Sequence, residues 1–231
     1  ILGELSLGHA GFMSVGAFSG VIAAQSLQAS IPSAPVRLAV AILVGAVFAS
    51  AAGFIVGVPV LRLRGDYLAI VTLAFGEIIK ELINCLLVGY DSRGLHMAFN
   101  INGSLTISDL GLEPEGIAII KGAQGATGTT TIATFTAGFI LIMITLVIAA
   151  ESVGVNVTKY KLMAFVTSAA LAGAAGALYG LNYSNLAASK FSFDTSILVL
   201  VYVVLGGLGN MWGSIVAAAV LYILPEALRE F

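Results

Sequence analysis

RLRGDYLAIVTLAFGEIIKELIN, residues 62–84, decides how this chain folds. It sets a basic turn before an apolar helix about long enough to cross a bilayer, and it puts Glu77, Lys80 and Glu81 inside that helix. At about 1.5 Å of rise per residue, Glu77 lies roughly 15 Å beyond Tyr67, near the middle of a hydrocarbon core about 30 Å thick. A carboxylate facing lipid at that depth is costly, so Glu77 must face protein, water or a partner charge. Two readings follow. In one, Glu77 is a polar residue on a solute path or at a helix joint that moves during transport. In the other it belongs to a charged cluster at a subunit contact, neutralised by Lys80 at i+3, with Glu81 at i+4 leaving the cluster net negative.

Composition agrees with a membrane location. Apolar residues make up 59% of the chain, charged residues 10%, and mean hydropathy is +1.05, whereas soluble domains carry about 25% charge. The net charge of −2, with ten Lys and Arg scattered singly or in pairs, gives no hint of nucleic acid binding, and no nucleic acid partner is expected. A single cysteine, Cys85, excludes an internal disulfide and a cysteine metal cluster, and His9 and His96 stand too far apart in sequence to suggest a zinc enzyme. No metal or cofactor is expected.

Working outward, six to seven spans are expected in an all-α polytopic bundle, a single transmembrane domain over 1–231. The first, about 5–27, is rich in small residues; Gly16 and Gly20 are spaced for close helix approach. Gly3, Gly8 and Gly11 crowd His9 and predict a helix broken at its start, which makes His9 a candidate for the solute path; a tightly packed helix start with a satisfied histidine is the alternative. The second span is 36–61. Arg62 and Arg64 place the next turn in the cytoplasm. The third span runs 67–88, and the polar interval 89–131 is expected as a long extracytoplasmic loop. The fourth span is 132–149, the cytoplasmic turn 149–161 carries Lys159 and Lys161, and the fifth span, 162–183, is dense in Ala and Gly and therefore central. Beyond it, 196–205 and 211–224 read as two short helices broken at GGLGN, 206–210, with Pro225 ending the second and an amphipathic tail at the interface.

Walker A and nucleophile-elbow sequences are absent, so no catalytic residue is assigned and any driving energy comes from a partner.

GELSLGHAGFMSVGAFSG at 3–20, the block at 61–84, GVNVTKYKLMAFVTSAALAGAAGALYG at 154–180 and VVLGGLGNMWGSIVAAAVLYILPEALR at 203–229 closely resemble the M-type permease subunits of bacterial branched-chain amino acid ABC importers, the high-affinity leucine, isoleucine and valine family. The resemblance implies alternating access in the inner membrane. It also implies a second, homologous permease subunit, two cytoplasmic ATPase subunits and an extracytoplasmic solute-binding protein. AAESVGVN at 149–156 is similar to the end of the ATPase-docking loop, which gives Glu151, Gly154 and Asn156 a coupling role. Family members carry a further segment before the first block and a longer Arg-containing stretch before AAESVGVN. Their absence reads as a piece of a longer protein or as a copy that couples abnormally. Urea and short-chain amide importer permeases share the sequence type and remain an alternative, as does a passive channel; a membrane scaffold ranks last.

Overall fold

The computed structural model describes residues 7–60, 63, 66–101, 105–150 and 157–228. Seven α-helices occur among them: α1 (His9–Ser26), α2 (Ala34–Val60), α3 (Asp66–Asn84), α4 (Phe135–Ala150), α5 (Val157–Asn182), α6 (Phe193–Leu205) and α7 (Met211–Leu228). Two stretches are long and apolar enough to cross a bilayer by themselves, Ala34–Val60 and Lys161–Asn182. On α2 the outward side chains Leu43, Val47, Phe54 and Ile55 are each more than half exposed, a surface suited to hydrocarbon.

Glycine and alanine determine how α1, α2 and α5 pack. A methyl group at Gly16 would overlap the carbonyl of Gly173, one at Gly173 would overlap Ala49, and one at Gly176 would overlap the carbonyl of Met13. A Cβ at Gly20 would stand 2.7 Å from that of Ala177, and one at Gly53 2.5 Å from that of Ala169. These pairs make α1 and α5 parallel, with α2 antiparallel to both. Backbones at this range gain dispersion contact that larger side chains would prevent. The small residues of the first, second and fifth spans thus form one three-helix seam.

The all-α expectation holds only in its coarser form, a mostly helical chain. The interval expected as a loop builds most of an antiparallel sheet of β1 (Leu86–Asp91), β2 (Gly94–Phe99), β3 (Ile117–Lys121) and β4 (Ala126–Thr127), which β5 (Asn185–Leu186), just past α5, completes in the order β2-β1-β3-β4-β5. β1 also corrects the third span, which ends at Asn84 instead of 88. Ile119, Ile120, Ala126 and Leu186 share one buried cluster with Val21 and Ala24 of α1 and Leu181 of α5. The sheet therefore crowns the end of the bundle where α1, α3 and α5 finish.

One further expectation changes, and one falls partly outside the described residues. α1 is continuous from His9 to Ser26, so Gly11 makes no break, while Leu7 and Gly8 precede the helix and Gly3 lies outside the described residues. Gly8 and Gly11 serve instead for close approach, since a Cβ at either would lie 2.7 Å from Thr72 O and Gly76 Cα of α3 respectively. Pro225 does not end α7, which continues to Leu228. The break at 206–210 is present: Gly207 and Gly209 have φ of 94° and 89°, values glycine adopts without strain. There the chain reverses, and Gly206 packs against Gly213 and Ser214. α7 runs back along α6 until Tyr222 comes beside Tyr183, just past the end of α5. α6 and α7 form a helical hairpin that leaves from and returns to the sheet end.

Candidate functional site

Glu77 lies at the contact between α3 and the start of that hairpin. Its Oε1 accepts the backbone N–H of Phe193 at 2.8 Å, across 116 residues of sequence. Phe193 is the first residue of α6, and its N-cap, Ser192, makes no side-chain cap bond. The first N–H groups of a helix have no intrahelical partner and carry the positive end of the dipole, so a carboxylate from another helix satisfies both needs. The other oxygen, Oε2, binds Lys80 Nζ one turn along α3. Lys80 also lies 3.4 Å from Glu81 Oε1, and Glu81 Oε2 accepts from Asn84 Nδ2 at 3.2 Å. Glu77 is 37% and Lys80 17% exposed. The cluster is thus both an ion pair within α3 and a joint to α6.

His9 makes the corresponding link on the other side of α1. Its Nε2 is 2.9 Å from Ser168 Oγ on α5, with donor and acceptor set by the tautomer. The chain just before it is held by Thr72, which is 1% exposed and accepts the N–H of Leu7 at 3.1 Å while donating to Ala69 O at 2.9 Å. Through Gly8, His9 and Gly11 the start of α1 therefore touches α3 and α5 together. The hydrogen bonds described do not bring His9 and Glu77 into one site. Sequence reading missed their partners Ser168, Thr72 and Phe193, because a hydroxyl in an apolar helix and a backbone N–H carry no periodic signal. A cavity of about 470 Å³ beneath the sheet, with Asn84, Asn100 and Lys121 in its wall, includes neither His9 nor Glu77. Glu151, Gly154 and Asn156 lie outside the described residues.

In the sheet, Asp91, Arg93, His96 and Glu113 bind one another. Asp91, with a side chain 1% exposed, accepts the N–H of Arg93 at 2.8 Å, stands 3.1 Å from His96 Nε2 and receives the N–H of Glu113 at 3.4 Å. Arg93 in turn meets Glu113 at 3.3 Å and donates to Gly111 O at 2.9 Å. Burial alone would raise the Asp91 pKa, but the N–H groups of Arg93 and Glu113 and the His96 ring outweigh it and hold the carboxyl below its ordinary 3.8. A lowered folded-state pKa gives stability that is complete above the unfolded value and lost as pH falls through the folded one. Pepsin is therefore expected to cut the β1–β2 hairpin of the native protein only below about pH 4. In Asp91→Asn the cut should already appear at pH 5, and equal resistance of the two proteins there would remove Asp91 from this role.

The model of a family described as the permease component of branched-chain amino acid transport systems matches residues 1–231. The chain belongs to this family. It is 31% identical over 261 residues to the high-affinity branched-chain amino acid transport system permease protein LivM of Escherichia coli K12. It is 32% identical over 257 residues to the protein of the same name from Salmonella typhimurium LT2. Each alignment covers 99% of this chain and 58% of the relative, so the chain spans little more than half the length of those proteins. No solved structure matches. Membership makes the chain an integral membrane transport component, not an enzyme.

Proposed function

We propose that the chain is part of the permease subunit of an ATP-driven importer that carries leucine, isoleucine and valine across a bacterial inner membrane. The observation that carries this reading is the family match over residues 1–231, supported by the two named relatives. α1 to α5 cross the bilayer and α6–α7 enters from the extracytoplasmic side, where the sheet covers the bundle. A homologous permease completes the path, a solute-binding protein docks outside, and two ATPases bind the cytoplasmic face. Closure of the ATPases reaches the spans through residues 149–161, with Glu151, Gly154 and Asn156 at the contact. His9 and Glu77 serve the path as joints between helices that shift in alternating access, since each ties together elements far apart in sequence.

Affinity purification of the tagged intact protein in mild detergent tests this. A second permease and ATPases are expected with it, and leucine with binding protein should stimulate ATP hydrolysis. Glu151→Lys is expected to lower that stimulated rate by about tenfold, as reversal of a charge at a rigid contact costs roughly 1.4 kcal/mol or more, while membrane levels hold. Purification without ATPases would replace the importer with a channel. An unchanged rate in Glu151→Lys would discard the coupling residue alone.

A further inference from the structure

We infer that the bundle-facing side of β2 rests on the outer leaflet of the bilayer, at the boundary between headgroups and acyl chains. The inference deepens the proposed function and rests on its placement of the spans and the sheet. Residues paired across antiparallel strands point to the same face of a sheet. Val88, Ile120, Ala126 and Leu186 are such partners along β1, β3, β4 and β5. Each is at most 1% exposed, packed with Val21 and Ala24 of α1 and Leu181 of α5. Theirs is the face that closes the end of the bundle. Leu95, Met97 and Phe99 pair with Tyr90, Val88 and Leu86 and so belong to that face too. At β2, however, the helices no longer lie beneath it: Leu95, Met97, Phe99 and Ile101 are 41%, 58%, 56% and 79% exposed. β2 is the edge strand. It overhangs the bundle with an unbroken apolar row directed as Val88 is, toward the plane of the membrane.

The end of α3 sets the height of this row. The N–H of Asn100 donates to the carbonyl of Cys85 at 2.6 Å, and Cys85 immediately follows the last residue of α3. The row therefore starts where a span leaves the bilayer. That bond also sets the alternation of the ladder. With Asn100, Ala98 and His96 bonded toward β1, the backbone groups of Phe99, Met97 and Leu95 point off the free edge. Unpaired backbone groups are excluded from the hydrocarbon interior, whereas a row of large apolar side chains is disfavoured in bulk water. An interface meets both needs, with acyl chains below for the side chains and hydrated headgroups beside the edge. A strand added from another protein would pair the edge within the plane of the sheet and leave the row beneath it uncovered. The opposite face of the hairpin is polar, with His96 3.1 Å from Asp91. β2 is thus amphipathic across the sheet, as an interfacial helix is around its axis.

The test uses the intact protein in phosphatidylcholine vesicles whose lipids are brominated either next to the headgroup or at the chain end. In a background with every tryptophan, Trp212 included, replaced by Phe, Phe99→Trp and Met97→Trp each supply one reporter. Both are expected to show a drop in emission of about twofold with the shallow bromines and little with the deep ones, as side chains buried about 5–10 Å require. Val47→Trp, midway along α2 and more than half exposed, is the comparison and should be quenched mainly by the deep bromines. If Val47→Trp is quenched and neither β2 reporter is, the inference falls and the proposed function stands. Blue-shifted emission from β2 would then assign the row to a protein partner, and red-shifted emission would assign it to water. If none of the three is quenched, the membrane placement of the chain falls and the inference falls with it.

Discussion

Gly173→Leu is expected to leave almost no folded protein in the membrane. Even a methyl group at this position would overlap the Cβ of Ala49 and stand 2.8 Å from the carbonyl oxygen of Gly45, while the Gly173 carbonyl already fills the space beside Gly16. The surroundings are backbone and Cβ atoms, which cannot rotate away as a long side chain would. Overpacking a close-packed interior costs about 1–3 kcal/mol when the neighbours can adjust. Four added carbons with no adjustable neighbour should exceed that and take most of a total stability near 5–15 kcal/mol. Gly173→Ala should fall in the range of about 1–3 kcal/mol, measured as the heat-dependent loss of the monodisperse peak in detergent. Ala49→Gly in the same chain should recover part of the loss, because it removes one of the overlapping atoms. Gly138 on α4 is the comparison: a Cβ there meets nothing within 4 Å, so Gly138→Ala should stay within about 0.5 kcal/mol of the native protein. Equal midpoints for Gly173→Ala and Gly138→Ala would show that the seam is looser than its geometry requires.

The helical part of the fold was legible because length and composition carry it. The second span, read as 36–61, is α2 at Ala34–Val60, and the small residues of the fifth span do face α1 and α2. The sheet was not legible for a physical reason. LLVG at 86–89 continues the apolar run of α3, and the alternation of a strand becomes visible only when LLVGYD is set against GLHMAF, its partner across the turn at Ser92 and Arg93. The glycines near His9 were read as a break because glycine serves both an unwound helix and a close crossing, and the crossing partners Thr72 and Gly76 lie more than 60 residues away. For the candidate site, the intramembrane carboxylate pointed to Glu77 and its pairing to Lys80, both local in sequence. The third partner is a backbone N–H, which every residue but proline owns, and no pattern could single out Phe193.

Glu77→Ala is expected to cut leucine uptake about tenfold in cells supplying all partners, while Glu77→Gln stays within about threefold of native. The difference follows from what each variant keeps. Glutamine retains an oxygen that can accept the Phe193 N–H, now bonded at 2.8 Å, and loses only the charge. Alanine removes the acceptor, leaving the first turn of α6 without an external partner and Lys80 without its nearer carboxylate. Loss of a cap costs about 0.5–2 kcal/mol and loss of a charge near the dipole about 0.3–1 kcal/mol. Exposure of Glu77 at 37% argues for the lower part of both ranges. A total near 1.4 kcal/mol is about tenfold in the population of a docked hairpin. Lys80→Met separates the joint from the ion pair: it leaves the Phe193 contact intact and should transport nearly as well as native. If Glu77 met the solute directly, glutamine and alanine would be equally damaging and KM for leucine would rise. If the ion pair were the essential part, Lys80→Met would match Glu77→Ala. Only a joint between α3 and α6 gives the order native, Lys80→Met, Glu77→Gln, then Glu77→Ala, with KM unmoved.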